Sequence, residues 1–370
     1  MRHVTRETPE NLVRVPTWTR DADRALGGAM REVHLLNAVT PRGGVTLAEI
    51  VASFEAGDAR SPEWAYASVD SARSAAVAVA LESIADALTS REPSLLAGAY
   101  AARARELALE AQIASEAGTR GFAARARERF MPETPGAASK LAEAWVSSQD
   151  PEFAADCTSD GDEASSLASR LREEIGRRLL PFRVVVSPSL TPLAATGEHV
   201  ILVAAGRAIA RVDVERTVLH EIEGHVRPRL RASTLSPGLF AIGTARGADD
   251  QEGLALVLEE RHGFLVGARR RELALRHRAV TAMDDGATFV ETVRTLVARD
   301  GASIPRAVAA AARAFRGSAG ETAGLGRERI YLSAFARVGS HLRARPEDEA
   351  VLASGQVAIE AIATLAPHAR

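Results

Sequence analysis

Apolar residues along this chain recur mostly at three- and four-residue spacing, and the elements that pattern predicts are amphipathic helices. After an irregular start over residues 1–20, the spacing holds from Asp21 to Asn37, Thr46 to Ala56, Ala72 to Leu88 and Pro93 to Glu116. Shorter helices follow at Phe122 to Phe130 and Ala138 to Val146, with a loop at Met131 to Gly136 marked by two prolines and a glycine. The pattern lapses from Ser148 to Ser165, an acidic stretch poor in apolar residues, which predicts a linker or mobile surface loop. A helix from about Glu163 to Leu180 leads into the one clear β signal. Phe182 to Val186 and His199 to Val203 are β-branched runs, punctuated by Thr196-Gly197 and Ala205-Gly206. Helical spacing then returns over about Asp250 to Arg261, Ala268 to Met283, Thr288 to Ala298, Pro305 to Phe315, Arg327 to Leu342 and Asp348 to Leu365. The expected fold is mainly α with a small β-sheet (α+β). A helical region over 1–180 is expected to pack on a second part over 181–370, as two units or one continuous domain. No repeat of fixed period is visible.

One helix carries the candidate chemistry. Val214, Val218, Ile222 and Val226 form its buried stripe, and off that stripe lies His220-Glu221-Ile222-Glu223-Gly224-His225, an H-E-x-x-x-H pattern. Asp213 is the expected N-cap and Pro228 the far boundary. Imidazoles are frequent zinc ligands, and a carboxylate beside one can act as a base. At about 100° per residue, positions five apart sit roughly 140° from each other on a regular helix. A shared metal therefore requires a widened turn, a π-bulge, which Gly224 would ease through its backbone freedom. The third ligand is sought on another helix, at Asp249-Asp250-Gln251-Glu252-Gly253-Leu254-Ala255. Glu252 is the candidate there, with Asp249 or Asp250 capping, and Glu259 lies on nearly the same face to orient a histidine. Two histidines and a glutamate form the ligand set of thermolysin-like zinc peptidases. His262 and His277 read as surface residues and His199 as a core or surface position, with a pocket residue as the alternative, while His3 and His368 lie near the termini.

Composition narrows the classes without adding to the site. Apolar residues at 46% and charged residues at 25% describe a soluble globular protein. With 4% aromatics, the core must be built from Ala, Leu and Val. A net charge of −2 gives no reason to expect nucleic acid or membrane as a partner. The run Arg269-Arg270-Arg271, with Arg276 and Arg278, reads as a solvated helix face, with attraction of an acidic substrate tail as the alternative. Cys157 is the single cysteine, so no internal disulfide forms. With no signal-like h-region and no apolar run of spanning length, a cytoplasmic location is expected.

Taken together, the histidine motif and Gln251-Glu252-Gly253-Leu254-Ala255 resemble the bacterial flavohaemoglobin expression-modulating QEGLA-motif proteins. Their eukaryotic relatives include the microtubule-associated tyrosine carboxypeptidases, which remove the C-terminal tyrosine of α-tubulin. Arg313-Ala314-Phe315-Arg316-Gly317 and Tyr331-Leu332-Ser333-Ala334-Phe335 fit the same pattern, and the similarity runs from about Phe182 to Leu342. The resemblance implies a zincin-like metallopeptidase core with the H-E-x-x-x-H motif on its active-site helix. It implies His220, His225 and Glu252 as zinc ligands and Glu221 as catalytic base. Leu219, where many relatives have a histidine, and Glu223, where they are less polar, depart from the family; Glu223 could alter substrate preference.

The expected activity is zinc-assisted release of a C-terminal, aromatic residue from a peptide or protein. Tyr331 is the candidate oxyanion donor. Arg316 and Arg313 are candidates for the substrate's terminal carboxylate. The strand near His199 to Val203 is a candidate to hold the peptide backbone as an added strand. The motif also resembles that of dipeptidyl peptidase III, whose third ligand lies in a different acidic motif. A non-catalytic helical scaffold with a vestigial metal site is the remaining alternative, and the oligomeric state is left open.

Overall fold

The computed structural model describes residues 14–369, apart from 92, 120, 133–134, 149–153, 189 and 319. Most of the irregular start therefore lies outside the described residues, but Thr19 already opens a helix, Thr19–Met30. Helices dominate and two small sheets complete the fold, as the α+β pattern predicts. Local chemistry sets several helix starts. Thr46 and Glu49 form a reciprocal capping box ahead of Leu47–Glu55, and Thr288 and Glu291 form another ahead of Phe289–Asp300. Ser94 and Ser166 cap Leu95–Ser115 and Leu167–Arg177 through their hydroxyls.

The core is as poor in aromatics as the composition requires. Its largest cluster joins Leu26, Tyr100, Leu107 and Phe130 to Phe240, Leu254, Leu332 and Phe335, so helices from both ends of the chain share it. A second cluster surrounds Phe289 and Phe315 and takes in Ile50 and Leu275. The third sits between the sheet and the motif helix. There Val214, Val218, Ile222 and Val226, the predicted stripe, pack with Leu167, Leu171, Ile201 and Val203.

The larger sheet has the order β2 (Arg183–Ser187), β4 (Val200–Ala204), β3 (Ala194–Thr196), with β2 parallel and β3 antiparallel to β4. The strand expected to accept a peptide is thus the central one, with both edges already paired. The free edge near the motif helix is β3. Part of the expected linker is built into the fold: β1 (Cys157–Thr158) pairs with β5 (Ala208–Ile209), and Cys157 is buried. The final expected helix is broken at Gly355 (φ 137°), where an added Cβ would lie 2.3 Å from the carbonyl oxygen of Phe240. No helix among the described residues is long and apolar enough to cross a membrane.

Two polar expectations are corrected by burial. Arg269 is buried against Glu259 and Glu272, and Arg276 pairs with Glu272, so that run is not a solvated face. His277 is 6% exposed, with Nε2 3.4 Å from the Ser139 hydroxyl. Burial, followed by the neighbouring Arg329 and Arg278, pushes its pKa down from 6.5 to about 4. An unfolded histidine therefore takes up a proton that the folded one refuses. Stability should begin to fall as pH drops below 6.5 and lose on the order of 3 kcal/mol by about pH 4. Urea melts of His277→Gln against wild type should show a shallower acid-side loss in the variant; identical slopes would contradict this.

Candidate metal centre

The motif helix enters as Arg211–Leu219, widens into a π-helical turn over His220–Val226 and continues as Arg227–Ala232. Widening brings residues five apart onto one side, and the His220 and His225 rings lie 5.0 Å apart between centroids. Gly224 serves this arrangement by close approach: an added Cβ would sit 2.7 Å from the Cβ of Ala255 on the facing helix, Gly247–Arg261. Pro228 does not end the helix. It occupies the first turn after the widened segment, where its missing N–H is tolerated. Asp213 lies in the first turn behind an N-cap at Ala210 and bonds Arg216.

Each residue of the facing segment has a contact that explains it. Gln251 accepts from Nδ1 of His225 at 3.0 Å. Oε2 of Glu252 lies 3.5 Å from Nε2 of His220 and 4.0 Å from Nε2 of His225. Gly253 lets the helix lie against Arg329–Ala344, since a Cβ there would meet the Ala334 carbonyl at 2.6 Å. Leu254 is in the main core, and Ala255 touches Gly224. Asp249 and Asp250 are not caps. They lie buried in the first turn, where Asp249 bonds Arg129 at 3.0 Å and Asp250 pairs with Arg337.

Among the described residues, His220, His225 and Glu252 form the one group placed to hold a metal ion, with ligand atoms within 4.8 Å of one another. Nδ1 of His220 donates to Oε1 of Glu259 at 2.8 Å, so Glu259 stands where an orienting carboxylate was expected. With both Nδ1 atoms donating, Nε2 of each ring is the atom turned towards Glu252, and it becomes a metal ligand on losing its proton. Burial disfavours a charged His220, yet Glu252 and Glu259 outweigh it and raise its pKa to about 10. Burial would likewise raise Glu252, but His220, His225 and Arg327 hold it well below the usual carboxylate range. The pocket is thus built to hold positive charge between the two histidines, and its donor set fits a divalent cation.

A cleft of about 700 Å³ surrounds these groups. Glu221 lines it and accepts from the Thr196 hydroxyl of β3 at 2.7 Å. Tyr331 lines it too, and its oxygen accepts from Nη1 of Arg327 at 3.1 Å, while Nη2 of Arg327 reaches Glu252 at 3.1 Å. Burial raises the Tyr331 pKa, so the phenol keeps its proton. Arg313 is spoken for by Glu328, at 3.0 Å. Arg316, half-buried in the cleft wall, has no partner for its buried Nε and no ion pair among the described residues. Burial, with Arg313 beside it, lowers its pKa to about 10. Glu223 is held by Arg178 and Arg227 and does not line the cleft. His199 and His262 are exposed. Sequence reasoning missed Thr196 and Arg327. The available signal was the position of Arg327 four residues before Tyr331, in the turn that leads into the helix Arg329–Ala344.

Compared with known proteins, the chain matches the family model described as microtubule-associated tyrosine carboxypeptidase over residues 52–370. None of the curated proteins compared with it matches.

The contact of Gly224 with Ala255 makes a direct prediction. Gly224→Ala should push the two helices apart, lower stability by about 1–3 kcal/mol and weaken metal binding. Gly224→Ala combined with Ala255→Gly should recover part of both losses. Denaturant melts and metal titration of the two proteins check this, and no recovery in the double variant would contradict it.

Proposed function

The chain belongs to the microtubule-associated tyrosine carboxypeptidase family, and on that premise we propose that it is a zinc-dependent carboxypeptidase releasing an aromatic, tyrosine-like residue from a peptide or protein C-terminus. The observation that carries the reading is the cleft shared by His220, His225 and Glu252 with Arg316, whose buried Nε has no partner among the described residues. One set holds a metal and the other receives a terminal carboxylate, which is the pair of features a carboxypeptidase needs. Two imidazole nitrogens and a carboxylate oxygen suit zinc and leave room for water and substrate. When bound, zinc supplies a Lewis acid that polarises a carbonyl and makes water a stronger acid.

The remaining work falls to side chains of this chain. Arg316 binds the terminal carboxylate, its Nε having no partner among the described residues and its charge disfavoured by burial and by Arg313 beside it. Arg313, held by Glu328, adds to the local positive field. Glu221 takes a proton from the attacking water and returns it to the leaving amine, with Thr196 fixing the orientation of its carboxylate. Because Arg327 donates to the Tyr331 oxygen, the hydroxyl proton of Tyr331 is free to donate to the developing oxyanion. Glu259 and Gln251 orient the two histidines, and Arg327 steadies Glu252. Within this reading residues 181–370 are the catalytic region, and the helices of 1–180 pack on it as its support.

The test is release of a C-terminal tyrosine from synthetic peptides by the zinc-loaded protein. Glu221→Gln should lower kcat by about 10²- to 10⁴-fold while retaining the metal. Arg316→Met should raise KM more than it lowers kcat, and a C-terminally amidated peptide should be left intact. Equal cleavage of the amidated peptide, or full activity in Glu221→Gln, would contradict the proposal.

A further inference from the structure

The matched family region begins at residue 52, yet two residues before it reach the cleft: Leu36 and Leu47. Leu47 opens the helix Leu47–Glu55, whose start is fixed by the Thr46–Glu49 capping box. That helix packs on Ile304–Ala314, with Ile50 fully in the second core cluster and Leu47 against its edge. The same cluster contains Leu275 and Ala310, which also line the cleft. Ala309 and Arg313 lie one helical turn apart on Ile304–Ala314, and both face the cleft. An aliphatic wall therefore adjoins the arginine end of the cleft.

The wall is not fully covered. Leu36 is 47% exposed and Leu47 half-exposed, although each sits at the rim of a concave site. Apolar surface held open in a cleft becomes favourable only when something apolar covers it. Leu47 packs on the cluster of the Ile304–Ala314 helix, which carries Arg313, so the wall starts at the arginine side of the cleft that Leu36 also lines. With the terminal carboxylate on Arg316, the group nearest the wall is the side chain of the same terminal residue.

Resting on the carboxypeptidase reading, we infer that Leu36 and Leu47 form a wall of the subsite for the leaving residue and select a large apolar side chain by area. The leucine and alanine side chains there carry no hydrogen-bonding group. Sites that reject an analogue lacking a hydroxyl do so with buried polar groups left unpaired, whereas apolar walls discriminate size. Phenylalanine and leucine should therefore be accepted as well as tyrosine.

Equilibrium binding of N-acetylated amino acids to the zinc-loaded protein tests the subsite without requiring turnover. N-acetyl-phenylalanine, -leucine and -tyrosine should bind within about threefold of one another and about tenfold more tightly than N-acetyl-alanine. Leu47→Ala should remove most of that advantage and Leu36→Ser part of it, with N-acetyl-alanine binding unchanged. A general loosening of the fold would weaken all four ligands together. Both positions are partly exposed, so the variants should fold. The inference is overturned by no binding of any ligand, by no size preference in the wild type, by tyrosine exceeding phenylalanine about tenfold, or by unchanged ratios in both variants. Failure of the carboxypeptidase reading looks different: the binding preference would persist, and no residue would be released from any peptide.

Discussion

His220 and His225 stand five positions apart, and a regular helix would point them about 140° from each other. Everything around the candidate centre follows from how that mismatch is resolved. The turn widens from His220 to Val226, and a widened turn must pack against something shaped to receive it. Gly224 and Ala255 provide the fit, because only a hydrogen on one helix and a methyl on the other leave enough room. The same contact brings Glu252, three residues before Ala255, to the histidine nitrogens. Backbone geometry and ligand placement are thus one feature.

Charge is the second organising element. The Glu252 helix is tied at its first turn to Arg129 and Arg337, which come from before and after it in the chain. Glu259, with no exposed side-chain surface, is held by Arg269 as well as by His220. Breaking such buried pairs one partner at a time leaves an uncompensated charge, so these arginines fix the frame in which the histidines stand. Arg316 lines the cleft with its buried Nε unpartnered and with no ion pair among the described residues. The arrangement supports a function in which substrate completes the electrostatics.

Much of the fold was legible because helices announce themselves by spacing and caps. The starts read at Thr46, Pro93 and Thr288 are kept by the structure within a residue or two. The widened turn was legible as well, since two histidines five apart on one helix have no other way to meet. What spacing could not convey was which neighbours lie across the gap. Gly224 reads as backbone freedom in sequence, but its partner is Ala255. Asp249 and Asp250 read as caps, but distant arginines claim them. Arg269 and Arg276 look like a solvated run because arginine usually is, and only the buried carboxylates of Glu259 and Glu272 reverse that. β3 was too short and too alanine-rich to signal a strand, although its Thr196 touches Glu221.

The central claim is that one metal ion is held by His220, His225 and Glu252 on a widened turn. X-ray absorption at the zinc edge, on protein carrying one equivalent of zinc, tests it most directly. The account predicts two imidazole nitrogens with only oxygen besides, at distances of about 2.0–2.2 Å, and one imidazole fewer in His225→Ala. A first shell of water oxygens without imidazole, or a spectrum unchanged by that substitution, would contradict it.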